Sequence, residues 1–541
     1  MENKNILIAF VLMLAVWVGV NILFPKPPAP PEQQVEPAAQ VAETVPADQP
    51  AVSATPVKDA TKAGAAISVP QQERELAVSA GRYEAVFTTA GGRLKSLRLP
   101  GYKETTKADS PAVSLVAAAV PQQGTLRTAG LGDFDISSEA FYALSVEEAQ
   151  IELGAGEERE IVFTTVTPRG LKIEKIYLLR GGAFDFELQV RVTNLGSQSV
   201  RGATSLALVQ PWEEGMKESR YTFVGPAVFD GEKVRTHDVE DLEEEAPVYG
   251  SGAVWTAFER KYFMSAAVPL ADSGEKFRIE KSGDLVENSI ESPYTVLTAG
   301  QSTSADYLCY FGPRDLDILQ QVDHQLDKAI DFGFFGVIAR PLLSVLKFFY
   351  SYVGNWGVAI ILLTCIIKVL FWPLTQKSYT SMKAMQTLQP EMQKLREKYK
   401  NNKEKLNKEI MQLYRDKRVN PMGGCLPMFV QIPVFFALYK VLLGTIALRH
   451  APFAFWIQDL SAKDPYYITP IIMGATMFLQ QKMSPSTMDP AQARIFMFMP
   501  IIFTFMFLNF PSGLVLYWMV NNLLTILQQW HVNRGSKAVA S

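Results

Sequence analysis

Lys368 stands between Ile367 and Val369, inside an apolar run from Gly357 to Leu374. It precedes Lys377 by nine residues, roughly 13 Å along a helix, which is farther than a snorkelling lysine reaches. A charge at that depth costs about 2.5–3.5 kcal/mol on insertion scales. Intramembrane charges as a rule face a polar cavity and mark a functional site. The competing reading is a lysine near a misjudged helix end. Thr364 lies four residues earlier, on the same helical face. Gln431 falls inside a second apolar run, and Asn521 and Asn522 inside a third. These groups either line a groove around the charge or hydrogen-bond between helices. The chemistry on offer is attraction of an oppositely charged segment, not bond making.

Covalent chemistry finds little support. No Walker A sequence occurs, and no GxGxxG precedes a helix, so no nucleotide site is expected. His237, His324, His450 and His531 are scattered without metal-ligand spacing. Asp331-Phe-Gly333 matches a kinase tripeptide whose partner motifs are missing. Neither cofactor nor metal is expected, and the chain reads as a non-enzyme. Met473, Met477, Met497, Met499 and Met506 populate two apolar runs, where methionine either adapts to varied apolar partners or simply packs.

The elements that position Lys368 are apolar spans. Ile6 to Phe24 is long enough to cross a bilayer and is followed by Pro25-Lys-Pro27, not by a small-x-small cleavage site, so it reads as an uncleaved anchor. Residues 25–71, rich in Pro, Ala and Glu, read as a disordered linker. Residues 72–328 show short alternating runs with turn signals: Arg82–Thr89, then Gly91-Gly92, then Leu94–Leu99. Lys172–Leu179 and Phe184–Val192 flank Gly181-Gly182 as a hairpin. A large β-sandwich is expected there. Asp315 to Lys328 shows helical spacing. Phe332 to Tyr352 is apolar but interrupted by Arg340, Pro341 and Lys347, and reads as an interfacial amphipathic helix within 329–352.

Five further spans follow, at Gly357–Leu374, Gly424–Ala447, Tyr466–Leu479, Ile495–Phe510 and Leu514–Trp530. The fourth and fifth spans overall are short for a bilayer, so either their ends extend into polar flanks, the favoured reading, or the bilayer is thinner around them. Lys440 lies near the outer end of the third and snorkels. Residues 378–421 read as a helical hairpin, with Leu388, Met392, Leu395 and Tyr399 in one arm and Leu406, Ile410 and Leu413 in the other.

The chain has 541 residues and 48% hydrophobic composition, ordinary on average because the apolar residues are bunched. Its formal charge of −3 is likewise a cancellation. Residues 376–421 hold 12 Lys/Arg against 5 Asp/Glu, and Arg534 and Lys537 add more. Such a segment beside a span marks the cytoplasmic side. Six spans then place both termini in the cytoplasm and the β domain outside. The hairpin's Lys394, Arg396, Lys398, Lys405 and Arg415 form a basic surface for anionic lipid or macromolecular partners, with no specific nucleic acid implied. Of three cysteines, Cys309 alone lies in the polar region, so no internal disulfide can form there.

Several segments resemble the YidC family of membrane protein insertases, in its Gram-negative form with a large periplasmic domain. They are Phe348-Phe-Tyr-Ser-Tyr-Val-Gly-Asn-Trp-Gly357, Asn420-Pro-Met-Gly-Gly-Cys-Leu-Pro427, Gln431-Ile-Pro433, Ala451-Pro-Phe-Ala454, Asp464-Pro-Tyr-Tyr467, Gln481-Lys-Met-Ser-Pro485 and Phe510-Pro-Ser-Gly-Leu-Val-Leu-Tyr517. The resemblance implies a polytopic α-helical protein of the bacterial inner membrane, with six spans, a five-helix insertase core, a periplasmic β-sandwich and a cytoplasmic helical hairpin. It implies insertion, folding and assembly of inner-membrane proteins, alone or with the Sec translocon, and contacts with nascent membrane proteins, ribosome and targeting factors. It also implies a cytoplasm-open hydrophilic groove containing Lys368, Thr364, Gln431 and Asn521, and a substrate slide containing Phe435, Met473, Met506, Tyr517 and Trp518. The family's usual groove residue is arginine, so Lys368 keeps the charge and loses the bidentate fork. Two readings from other classes are a small-solute transporter, which would show internal repeats, and a tethered periplasmic module, which would carry its informative residues in 72–320.

Overall fold

The computed structural model describes residues 72–117, 124–212, 216, 223–243, 246–271, 274–417, 419, 426–483 and 497–535. The expected anchor (1–24), the linker (25–71), Asn420–Cys425, Ser484–Arg494 and the end of the tail lie outside them.

Alternating runs become strands because every second side chain can be buried on one side of a pleated ribbon. Glu84–Thr88 pairs antiparallel with Arg93–Lys103, with a bulge at Val86/Phe87, and the chain reverses through Gly91 and Gly92, both at positive φ. A Cβ on Gly91 would collide with the Ser138 carbonyl oxygen, so the turn needs glycine. Leu171–Arg180 pairs antiparallel with Asp185–Asn194 as the spacing predicts.

Three sheets form, of five, nine and six strands. The nine-stranded sheet runs from Val234–Thr236 at one edge, through Ser302–Pro313 and Asp185–Asn194, to Ala143–Leu144 at the other. The two smaller sheets pack on it. Phe87 of the five-stranded sheet meets Tyr177 at 4.9 Å and Phe163 at 6.4 Å. Asn288 of the six-stranded sheet donates to Thr256 Oγ1 and to the Ala257 carbonyl. The sandwich is therefore split on one side into two sheets, a division that strand periodicity cannot reveal.

Lys175 occupies the buried phase of its strand, between Ile173 and Tyr177, and is fully enclosed. Its ammonium donates to the carbonyls of Leu126 at 2.8 Å and Gly91 at 3.3 Å, which ties two turns together. Burial, and secondarily the Arg93 guanidinium, push the group down to about 7. The unfolded chain, at an ordinary lysine value near 10.4, then binds more protons between about pH 7 and 10, so stability rises with pH across that window. We expect the sheet domain of the full chain to gain up to about 1 kcal/mol per pH unit from pH 7.5 to 9.5. Lys175→Met should flatten that slope. Urea unfolding read at 218 nm checks this, and equal slopes for both chains would exclude it.

The helical part starts at α1, Leu316–Val322, capped by the Asp315 carboxylate accepting from Asp317 N and Ile318 N. The helix expected to run on to Lys328 stops early. Asp323, His324 and Gln325 all take positive φ, the Gln325 carbonyl accepts from Trp255 Nε1, and a separate 3₁₀ turn covers Leu326–Ala329. Tertiary bonding to Trp255 overrides the local spacing.

Helix α2 spans Gly336–Val353 and buries Ala339, Leu343 and Leu346, a single stripe. Gly354 at φ 63° ends it, and Asn355 caps α3, Trp356–Thr387. At 32 residues α3 is about 48 Å long, well beyond a bilayer core of roughly 30 Å. It passes the expected boundary at 377/378 without a break, so ten residues of the expected hairpin belong to the same continuous helix. The hairpin proper is shorter than 378–421: α4, Gln389–Lys398, and α5, Lys403–Asp416. Tyr414 OH against Met392 Sδ (3.3 Å) and Lys417 against Glu391 (3.3 Å) hold the arms antiparallel.

Among the described residues four further helices join the bundle: α6 (Leu426–Gly444), α7 (Ile468–Met483), α8 (Met499–Phe507) and α9 (Ser512–Gly535). Helix α7 extends past the expected Leu479, as its short apolar run required. Within Ile495–Phe510, Met499–Phe507 forms α8, and 495–496 lie outside the described residues. A second core joins Leu343 and Leu346 with Ile360, Leu363, Ala437, Leu438, Met473, Phe507 and Leu514–Tyr517.

Candidate functional site: a polar seam between two helices

Helices α3 and α9 run side by side with their polar faces inward. Three tiers of hydrogen bonds follow α9 from residue 517 to 528, about 16 Å. In the first tier, Gln431 Nε2 on α6 donates to Tyr517 OH at 2.8 Å. In the second, Lys368 Nζ donates to Asn521 Oδ1 at 3.0 Å and to Thr525 Oγ1 at 2.7 Å. In the third, Gln528 Nε2 donates to Thr375 Oγ1 at 2.7 Å.

Lys368 is half-buried, and among the described residues no carboxylate lies within 4 Å of its ammonium. Its two acceptors are neutral, and the Thr525 hydroxyl spends its own proton on the Asn521 carbonyl. Among the described residues the ammonium is thus held in place without a carboxylate partner. An anionic group reaching it would meet a cation whose described partners are neutral.

The expected groove residues separate on inspection. Lys368 and Asn521 come together, and Gln431 sits one turn of α9 away through Tyr517. Thr364 is buried and donates back to the Ile360 carbonyl, so its hydroxyl is spent within its own helix. Thr525, Gln528 and Thr375 belong to the seam although the sequence reading passed over them. Their spacing carried the signal: Asn521, Thr525 and Gln528 recur at i, i+4 and i+7, as do Lys368 and Thr375 at i and i+7.

The expected slide residues also divide. Phe435 on α6 meets Trp518 edge-on at 4.8 Å, and Phe507 and Phe503 of α8 approach the same indole at 5.1 and 6.1 Å. Trp518 therefore links three helices. Met506 is exposed on α8 beside Ile502 and Phe505. Met473 has 0% exposure and Tyr517 2%, so both pack in the bundle core. Gly474, next to Met473, lets α7 approach Thr504 so closely that a Cβ would strike its Oγ1. On the hairpin, Lys394, Lys398, Lys405 and Arg415 are exposed and Arg396 is half-buried. Lys398 and Lys405 flank the Tyr399 ring at 5.4 and 5.3 Å.

A family model described as the YidC periplasmic domain matches residues 75–345, and one described as 60Kd inner membrane protein matches 348–539. The membrane protein insertase YidC of Geobacter metallireducens is 46% identical over 543 residues, covering 99% of this chain and 99% of that protein. The chain belongs to the YidC family of membrane protein insertases. The YidC of Syntrophus aciditrophicus is 44% identical over 544 residues, covering 98% of this chain and 99% of that protein. A crystal structure of an active YidC insertase with its first transmembrane domain resolved aligns at 17% identity and TM-score 0.36, covering 85% of this chain and 93% of that one. Membership makes the β-rich region the YidC periplasmic domain and the helical region its inner-membrane part. Gln431 and Tyr517 fall in two of the segments that resemble the family, Asn521 lies one turn beyond Tyr517 on α9, and Lys368 lies further along α3 from the segment that ends at Gly357.

Proposed function

We propose that this chain inserts, folds and assembles inner-membrane proteins by drawing the polar leading part of a substrate to Lys368 while its apolar segment leaves along α6 and α8. The observation that carries this reading is an ammonium held between α3 and α9 by neutral acceptors alone. An acidic leading segment supplies the missing counter-charge. It enters from the cytoplasm, past the third tier, because α3 and the basic hairpin extend on that side. The apolar segment meets the exposed Ile501, Ile502, Phe505 and Met506 on its way to lipid. Each Leu, Ile, Phe or Val then contributes about −0.3 to −0.6 kcal/mol, so a span of roughly 20 such residues drives insertion without nucleotide hydrolysis.

The accompanying topology has six spans, both termini in the cytoplasm and α2 lying in the periplasmic interface. The apolar length of α2 also suffices for a span. Its one buried stripe, and the exposure of Phe334, Val337 and Tyr352, favour the interface. The hairpin's basic face fits the ribosome, targeting factors or anionic lipid, and the chain works alone or with the Sec translocon.

Reconstitution in protein-free liposomes tests the core of this reading. A ribosome-synthesised small membrane protein should become protease-protected several-fold above empty liposomes, and less so with Lys368→Ala. Protection no greater than in empty liposomes would remove the stand-alone insertase.

A further inference from the structure

Helix α9 holds the Lys368 ammonium by two atoms one turn apart. Asn521 Oδ1 accepts at 3.0 Å and Thr525 Oγ1 at 2.7 Å. The Thr525 hydroxyl donates to the Asn521 backbone carbonyl at 2.7 Å, which fixes the direction of its proton and leaves its oxygen to accept from Lys368. The three groups form a closed ring of hydrogen bonds. An ammonium has three N–H groups, and α9 takes two of them. The direction of the third is then set by the other two. Thr525 is 3% exposed, whereas Lys368 and Asn521 are only half-buried, so a ligand can touch the lysine and the asparagine but not the threonine.

The bond to Lys368 also settles which way the Asn521 carboxamide faces. An ammonium only donates, so the amide oxygen must face it, and the nitrogen lies at the other corner of the planar group. That nitrogen carries two N–H groups and cannot accept. A neutral donor therefore stands beside the charged one, on a side chain that a ligand can reach. A carboxylate has two oxygens and can take one N–H from each donor, the cation supplying attraction and the amide supplying orientation. A backbone carbonyl brings one oxygen and no charge, so it gains less from the pair.

We propose that Asn521 contacts the substrate: its carboxamide donates a second hydrogen bond to the carboxylate that Lys368 attracts, and Thr525 is the positioning residue that aims the ammonium. This rests on the reading of Lys368 given above and adds a specificity to it. The seam recognises a carboxylate through two donors, not negative charge through one cation.

Liposome insertion by the full chain tests this, scored as the protease-protected yield of an acidic-led substrate divided by that of its neutral-led twin. Asn521→Leu keeps the shape and the Lys368 charge but removes the amide, and the ratio should fall about tenfold, the worth of one hydrogen bond to a charged group. Asn521→Asp, which keeps the oxygen and replaces the nitrogen, should lower it at least as far. Asn521→Gln should recover most of it. Thr525→Val should lower the ratio about threefold through the loosened ammonium, and Thr525→Ser should restore it. The neutral-led yield reports folding for every variant. Lys368→Ala in the same assay separates the two claims. If it leaves the ratio unchanged, the reading of Lys368 falls and this inference with it. If it lowers the ratio while Asn521→Leu and Asn521→Asp keep the wild-type value, charge alone suffices and only the role of Asn521 is overturned. Equal losses for both substrates in the Asn521 and Thr525 variants would make these residues structural and overturn the inference too.

Discussion

Lys368→Glu will cut insertion of substrates with acidic leading segments by tenfold or more, and Lys368→Arg will leave it within about twofold. At about 6 Å, a unit charge pair is worth about 0.7 kcal/mol in bulk water and about 3 kcal/mol at an effective dielectric near 20. Reversing the sign doubles the difference. Even the water limit then gives about 1.4 kcal/mol, a tenfold effect. Arginine keeps the charge, and its fork can still reach Asn521 and Thr525. The comparison that isolates charge is a substrate pair differing only in the leading segment, acidic against neutral, followed by protease protection in liposomes. The neutral-led substrate should lose far less. Equal losses for both substrates would sink charge attraction and leave Lys368 a structural pin between α3 and α9.

The helical framework was legible because bilayer length and hydropathy leave few alternatives, and the seven family segments fix their order. Lys368 was legible for the same reason, as a charge where charge is expensive. What escaped reading was pairing between distant elements. Thr364 shares a helical face with Lys368, yet its hydroxyl bonds the Ile360 carbonyl within α3, a choice that spacing does not report. Thr525 also donates within its own helix, to the Asn521 carbonyl, and only the Lys368 ammonium that its oxygen accepts places it in the seam. Met473 stands in an apolar run like Met506 and differs only in which neighbours cover it. The β region follows the same rule. Its hairpins between neighbouring strands were visible, whereas the division into three sheets depends on pairs such as Ser205 with Glu291, far apart in sequence. Lys175 is the sharpest instance: a lysine on the buried phase of a strand reads as an error in register until the two carbonyls that receive it are in view.

The largest loss of stability is expected at Asp464, in the loop that feeds α7. Its carboxylate accepts four bonds: from Thr469 N (2.8 Å), Thr469 Oγ1 (2.7 Å), Tyr466 N (2.9 Å) and Trp456 Nε1 (3.1 Å). It is 1% exposed, so water cannot replace it. Asp464→Ala strands these donors and removes the negative charge from the helix start, which together should cost on the order of 3 kcal/mol. Asp464→Asn keeps an acceptor oxygen and should cost about 1 kcal/mol. Burial alone would raise the carboxyl, but the bonds from Thr469, Tyr466 and Trp456 outweigh it and hold the group below the usual carboxylate range. A lowered folded value means the unfolded chain takes up the proton first, so the stabilisation is complete above about pH 4 and fades as pH falls through the folded value. Thermal melts of the full chain in detergent, read at 222 nm, should show Ala well below Asn and Asn below wild type at neutral pH. The wild-type advantage over Asn should shrink below pH 4. An alanine variant as stable as wild type would mean that the loop finds other acceptors. The expected cost is a consequence of function as much as of packing. Helices α7 and α8 meet so closely at Gly474 and Thr504 that, once its loop is released, α7 cannot shift without carrying α8 with it. The exposed face of α8, which we propose receives the substrate's apolar segment, would then move too, so Asp464→Ala should lower insertion even at temperatures where the chain stays folded.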